Sequence, residues 1–201
     1  MSVSIQIPGA TFTKQVASLV SPIRFTGLST ASETYTGVGY NYTFATRATT
    51  DFLNTALQKL PAGVDGYLEA TIVGGYGEVA NASFNMMVSP VNSTEALPAT
   101  DVISMYVGVD ARIRVIQSGG ATIDGNVSPN LQFVALGTTF RFTRVGSAWT
   151  GSVSLNGGAF QVVHNFATTS ATDMYLAVDS RGTASDRVVI KQPQGYRLVT
   201  A

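Results

Sequence analysis

The sequence predicts an all-β fold, an antiparallel sandwich of two sheets, on three observations. Gly, Thr, Ser and Val are abundant while charges are sparse, a composition that favours strands and turns over helices. Apolar residues recur with period two in many short segments. Clusters rich in Gly, Pro or Asn separate those segments, the pattern of a sandwich or barrel. At 201 residues, 45% hydrophobic and 12% charged, the chain suits one domain able to bury a core.

The segments run in order. Leu68, Ala70 and Ile72 alternate with Tyr67, Glu69 and Thr71 before the break at Gly74-Gly75. Phe84, Met86 and Val88 form a second face that ends at Pro90. Ile103, Met105 and Val107 make a third, Ile113 and Val115 a fourth, stopped by Gly119-Gly120. Leu131 to Leu136 is a short continuous apolar run, and Met174, Leu176 and Val178, then Val188 and Ile190, supply the last faces. Between them lies the most patterned stretch, TFRFTRVGSAWTGSVSLNGGAFQVVHNF, from Thr139 to Phe166. Phe140 and Phe142 share one side, with Arg141 and Thr143 on the other. Val145-Gly146-Ser147-Ala148 turns the chain, and Trp149, Gly151, Val153 and Leu155 share a face. Asn156-Gly157-Gly158 supplies the positive φ angles of a tight hairpin turn. Phe160, Val162, His164 and Phe166 are expected to return together as a third strand, giving a meander with one side buried and Trp149 in the core.

Two segments break the alternation. Asp51 is placed to cap a short helix with Leu53, Leu57 and Leu60 on one face, stopped by Pro61. The first residues are fenced by Pro8-Gly9 and Ser21-Pro22 and read as an N-terminal arm over residues 1–21, followed by the sandwich domain over residues 22–201. Its apolar residues, Val3, Ile5, Ile7, Phe12, Val16 and Leu19, are costly to expose to water. They are expected to contact another subunit or protein, by strand addition at Ser2–Ile7 and an apolar plug at Phe12 and Val16.

The hairpins resemble those of the concanavalin A-like (laminin G-like) jelly-roll family. The carriers are Arg144, Gly146 and Trp149, then Ser154, Asn156, Gly157 and Phe160, in the pattern Arg-x-Gly-x-x-Trp…Ser-x-Asn-Gly-x-x-Phe. The resemblance implies a jelly roll over about Pro22 to Ala201 whose first and last strands pair, with IRFTGLS (Ile23 to Ser29) and GYRLVTA (Gly195 to Ala201) in those parts. The opening IQIPGATFTK is also similar to the openings of small bacteriophage virion proteins.

Several function classes are excluded or disfavoured by composition. Twelve basic residues balance twelve acidic ones, which removes the electrostatic footprint of a nucleic-acid binder and of an acidic-membrane partner. With no cysteine there is no disulfide framework, thiolate nucleophile or zinc-thiolate site. The start has no basic region followed by an apolar one, so synthesis in a cytosol is expected, and no apolar run is long enough to span a bilayer. The Asn-x-Ser/Thr triplets at Asn41, Asn81, Asn92 and Asn126 are read as chance.

Catalytic constellations are sparse. Glucanases of the jelly-roll family cut glycosidic bonds with alternating carboxylates on one strand. The nearest stretch here is Asp65-Gly66-Tyr67-Leu68-Glu69, where Tyr67 occupies the middle position and no third carboxylate follows. Asp65 reads as a turn residue and Glu69 as a solvated strand residue. His164 is the only histidine and reads as an ordinary hydrogen-bonded strand residue. Gly74-Gly75-Tyr76-Gly77 lacks the helix and Lys of a phosphate loop. Asp110, Asp179 and Asp186 offer oxygens for Ca²⁺, but DSRGTASD lacks the dense ligands of a loop site and reads as surface. Neither a metal nor another cofactor is expected.

What remains is aromatic. Tyr35, Tyr40 and Tyr42, with Tyr67 and Tyr76, are the candidate glycan-binding residues, because aromatic faces beside Asn and Asp suit a pyranose ring. The expectation is therefore a non-enzymatic virion structural protein: a jelly roll docked by its arm on a phage particle, as a tail-side adhesin or capsid decoration. Its expected partners are other virion proteins, further copies of itself and a host-surface glycan. The alternatives are a glycan-degrading enzyme with a divergent site and a free carbohydrate-binding module.

Overall fold

A computed structural model describes residues 16–22, 31–45, 53–74, 83–90, 103–107, 113–117, 123–124, 137–166, 171–181 and 187–199. The first strands are β1 (Val16–Pro22), β2 (Ala31–Tyr35), β3 (Tyr40–Ala45), β4 (Leu53–Leu60) and β5 (Gly66–Gly74). Then come β6 (Ser83–Ser89), β7 (Ile103–Val107), β8 (Ile113–Gln117), β9 (Ile123–Asp124) and β10 (Thr139–Val145). The last are β11 (Ala148–Ser154), β12 (Phe160–Phe166), β13 (Met174–Arg181), β14 (Arg187–Lys191) and β15 (Gln194–Val199). There is no helix among the described residues.

The described strands form two antiparallel sheets. The larger has nine strands, β12-β11-β10-β5-β14-β3-β2 in order, with β15 also beside β5 and β1 beside β15. The smaller has six, β4-β13-β6-β7-β8-β9. β14 and β15 continue one another along the same edge of β5, Val189 opposite Gly74 and Gln194 opposite Glu69. Pro193 cannot donate to a ladder, and the line breaks there. The Gln192 N–H turns instead to the Tyr40 carbonyl at 2.7 Å, tying the break to β3.

Alternation sets which side of each strand is buried. Leu68, Ala70 and Ile72 of β5, Phe140 and Phe142 of β10, and Trp149 and Val153 of β11 face inward from the larger sheet. Met86, Val88, Ile103, Met105, Leu176 and Val178 of the smaller sheet belong to the same core cluster. Leu155 packs against its border, half-buried. Each fully buried side chain of this size contributes on the order of 1.5–3 kcal/mol.

Three expectations need correction. Residues 53–60 form β4 rather than a helix. Met174 lies opposite Leu60 and Val178 opposite Leu53, and the register shifts between Tyr175 and Ala177. A strand interrupted in this way does not keep period two, so Leu53, Leu57 and Leu60 mimic helical spacing. Pairing with β13 overrides that local signal.

The second correction concerns the arm. Val16 and Leu19 lie in β1, which pairs with β15 from Val16–Val199 to Pro22–Gln194. The first described strand does pair with the last, but it is Val16–Pro22 and not Ile23–Ser29. The sandwich therefore starts by Val16, and a boundary after residue 21 would cut a strand. Val3, Ile5, Ile7 and Phe12 lie outside the described residues, as do the run Leu131 to Leu136 and Ile23 to Ser29.

Third, β12 does not bury the face expected of it. Its register against β11 shifts between Gly151 and Ser152, where Gly151 faces His164 and Ser152 faces Val162, leaving Val163 as the extra residue. Such a bulge exchanges the sides of everything beyond it. Val163 and Phe166 are buried, whereas Phe160 and Val162 are exposed.

Gly66 is required where β5 meets β15. A Cβ placed there would lie 2.2 Å from the Tyr196 carbonyl oxygen, a backbone atom, and 2.7 Å from Leu60 Cδ1. Gly66→Ala is expected to cost about 1–3 kcal/mol, as overpacking does, and to loosen β15 from β5. Denaturant unfolding with hydrogen exchange at the Gln194–Arg197 amides measures both effects.

Candidate functional site

The side of the larger sheet turned away from the core carries a row of planar side chains. Alternation places Tyr67 and Glu69 of β5 and Arg141 of β10 there, opposite in orientation to Leu68 and Phe142. Glu69 lies directly across from Arg141 on one side and from Gln194 on the other. Tyr67 lies across from Tyr196. The β12 bulge brings Phe160 to the same side, and the small Ser152 between β10 and β12 lets Arg141 reach it.

These groups stack. The Arg141 guanidinium lies 3.6 Å from the Phe160 ring centroid and 4.0 Å from that of Tyr67. Tyr67 stacks on Tyr196 at 4.6 Å with a 26° interplanar angle. Because β10 and β15 flank β5 on opposite edges, Arg141 and Tyr196 cover opposite faces of Tyr67. The result is a four-member row, Phe160–Arg141–Tyr67–Tyr196, crossing the strands. Its inner faces are used in stacking, and β1 lies beyond Tyr196 with Leu19 directly across from it, so the row offers an outside reader the edges of its members and the exposed Phe160 ring.

The edges are polar. Glu69 Oε2 accepts from Arg141 Nε at 3.0 Å and Nη2 at 2.7 Å, so the carboxylate and guanidinium neutralise each other. Glu69 Oε1 and Arg141 Nη1 stay available as acceptor and donor, and the Tyr67 hydroxyl meets no protein acceptor among the described residues. Tyr196 donates to Gln194 Oε1. Burial raises the Tyr67 phenol pKa above its ordinary value, with Arg141 opposing. Burial also raises that of Tyr196, with Glu69 adding and Arg141 opposing. Both phenols therefore stay protonated, as donors, at neutral pH. Thr71 and Thr139 extend the polar surface, their hydroxyls 2.8 Å apart.

A cleft of about 250 Å³ opens beside this row. One wall is the β2–β3 turn, Thr36, Val38 and Gly39, and the other is Val73, Lys191, Gln192 and Gln194, with Tyr40 and Asn41 also lining it. Gln194 belongs to both cleft and row.

The tyrosines named from the sequence separate. Tyr67 stands in the row. Tyr35 is 64% exposed at the end of β2, tilted against Tyr40 at 5.3 Å between centroids. Tyr40 is half-buried, packed on the core border and lining the cleft. Tyr42 is fully buried and donates its hydroxyl to Glu33 Oε2 at 2.9 Å, so it belongs to the core and presents no face to a ligand. Tyr76 lies outside the described residues, as do Asp110 and Asp186. Arg141, Phe160 and Tyr196 were not among the sequence candidates.

The carboxylates and histidine near the row have structural partners. Asp65 Oδ1 accepts the Gly146 N–H at 2.7 Å, holding the β10–β11 turn, and His164 meets Phe166 edge-on at 5.0 Å. No cluster of three or more metal-ligating side chains occurs among the described residues.

The architecture is that of a concanavalin A-like jelly roll. No protein-family model and no curated protein matches the sequence. Solved structures match the fold. A legume lectin-like domain from Entamoeba histolytica superposes with a TM-score of 0.55 at 12% identity, covering 91% of this chain and 90% of its own. The Bauhinia forficata lectin, solved in complex with GalNAc, gives 0.53 at 10% identity over 93% of this chain and 99% of its own. The PSpry domain of TRIM65 gives 0.55 at 10% identity over 85% and 89%. These likenesses establish the fold; function has to be argued from the site.

Proposed function

We propose that the protein is a non-enzymatic glycan-binding module that reads carbohydrate with the outer face of its larger sheet. The observation that carries this reading is the Phe160–Arg141–Tyr67–Tyr196 row with Glu69 at its side. Sugar rings present hydroxyls around their rims and apolar C–H patches on their faces. Glu69 Oε1, Arg141 Nη1 and the Tyr67 hydroxyl match the hydroxyls, and the exposed Phe160 ring matches the C–H patches. Stacking holds the polar groups in place before a ligand arrives, which reduces the ordering cost of binding. The lectins that share the fold favour the same reading.

Hydrolysis would need one carboxyl to protonate the leaving oxygen and a second to act as nucleophile or base. Glu69 is engaged by Arg141 and Asp65 by the Gly146 amide, so this strand supplies no such pair. Docking on a phage particle is a separate proposal that rests on the sequence alone, chiefly on Val3, Ile5, Ile7 and Phe12. Mass spectrometry of purified particles tests it, and absence of the protein from them would end it.

The binding proposal is tested on a glycan array followed by calorimetry on the best ligand. Arg141→Ala should weaken binding by at least about tenfold, or about 1.4 kcal/mol. Tyr67→Phe keeps the stack and removes one donor, and should cost about 0.5–1.5 kcal/mol. An array without signal for the wild-type protein would defeat the proposal, as would a hit whose affinity neither substitution changes.

A further inference from the structure

The row is electrically neutral, but the cleft beside it is not. Glu69 and Arg141 cancel each other at 2.7 Å. Lys191 is exposed on the cleft wall and pairs with no carboxylate among the described residues. Asn41 lies directly opposite it across the β14–β3 ladder, and its side-chain amide makes no hydrogen bond among the described residues. Glu33, the nearest acid in sequence on the adjoining β2, is opposite Tyr42 on the core side and accepts that tyrosine's hydroxyl. The cleft therefore presents an ammonium and an amide N–H₂ on paired positions, neither held by another described residue, beside the apolar surface of Val73.

Size narrows what fits. At about 250 Å³ the cleft is smaller than the roughly 300–1,000 Å³ of sites for drug-sized ligands. It suits a single sugar ring. Gln194 lines the cleft and accepts the Tyr196 hydroxyl at the end of the row, so row and cleft share a residue and one oligosaccharide can touch both.

We infer that the cleft is a subsite for an anionic sugar unit, its carboxylate or sulfate held by Lys191 Nζ and Asn41 Nδ2, so that the glycan of the proposed function is acidic. This rests on the glycan-binding reading of the row and adds the charge of the ligand to it. A lysine suits either anion, since its ammonium acts as a compact point charge without the planar fork that would select between them.

The test is calorimetric titration of the full chain with matched pairs: an oligogalacturonate against its methyl ester, and a sulfated galactan oligosaccharide against the desulfated one. The first pair probes a carboxylate and the second a sulfate. In low salt the acidic member of at least one pair should bind about tenfold tighter than its neutral partner. That preference should shrink in about 0.5 M salt, where the screening length falls to a few ångströms. In Lys191→Gln the ratio of acidic to neutral affinity should fall to about one, while Lys191→Arg should keep most of it. Equal binding of acidic and neutral members by the wild-type protein would overturn the inference and leave the row as a neutral-sugar site. A preference that persists in Lys191→Gln would also overturn it. If none of the four oligosaccharides binds while the array finds another neutral ligand, the acidic assignment fails alone; if the array is silent too, both readings fail.

Discussion

Arg144→Met is expected to destabilise the fold by about 3–5 kcal/mol, the loss of two or so hydrogen bonds from a charged donor at about 1.5–3 kcal/mol each. The guanidinium is fully buried, yet it meets no carboxylate among the described residues. Nε donates to the Val64 carbonyl at 3.1 Å, Nη1 to that of Thr172 at 2.6 Å, and Nη2 to those of Val64 at 2.8 Å and Pro61. One side chain of β10 thus ties the β4–β5 turn and the segment before β13 to the larger sheet. Burial lowers the arginine's pKa from its ordinary value, while Asp65 and Asp173 oppose that shift. Methionine would fill much of the volume but give no hydrogen bond to the carbonyls of Val64, Thr172 and Pro61, the last of which keeps the Val64 N–H at 3.2 Å. Arg144→Lys should recover only part of the loss, because an ammonium cannot reach three separated carbonyls with a planar fork. Chemical denaturation measures this, and a Met variant within about 0.5 kcal/mol of wild type, the scatter of ordinary surface changes, would show that the network adds no stability.

Trp149→Ala is expected to cost a further 3–5 kcal/mol or so, the usual loss for a buried tryptophan. Trp149 lies directly across the strand pair from Arg144, whose guanidinium sits 5.4 Å from its ring centroid. The two losses should therefore fall short of their sum in the double variant, as they do for residues in contact. An unchanged melting temperature for Trp149→Ala would place that ring outside the core.

The Arg144 network also gives a physical reason for the Arg-x-Gly-x-x-Trp pattern read from the sequence. Arg144 holds the loops, Gly146 gives its N–H to Asp65, and Trp149 returns across the hairpin to cover the arginine. The second part of the pattern is turn chemistry. Asn156 and Gly157 have φ of 51° and 73°, the Gly158 N–H reaches the Leu155 carbonyl at 2.9 Å, and Ser154 Oγ donates to the Gly158 carbonyl at 2.6 Å. Local rules made this hairpin legible, as they did the inward faces of β5 and β10.

What the sequence hid depends on contacts between distant parts of the chain. Nothing near Leu53 reveals that β13 will pair with it, so its spacing suggested a helix. Nothing in FQVVHNF marks Val163 as the bulged residue, and that single insertion turns Phe160 outward to meet Arg141. Tyr67 and Tyr196 are neighbours only because β15 pairs with β5, through the close approach that Gly66 permits. Arg141 was legible as facing away from Phe140 and Phe142, but its partners were not. The candidate site therefore emerged from register, whereas the sequence could offer only a choice of aromatics.

The proposed carbohydrate binding lies on the outer face of the larger sheet. Its most direct test is chemical-shift mapping of the isotopically labelled protein, titrated with the strongest array ligand. The amides and side chains of Tyr67, Glu69, Arg141, Phe160 and Tyr196 should shift together and saturate at one affinity, while β6, β7 and β13 of the smaller sheet stay unperturbed. Shifts confined to the smaller sheet, with the row unchanged at saturation, would contradict the claim.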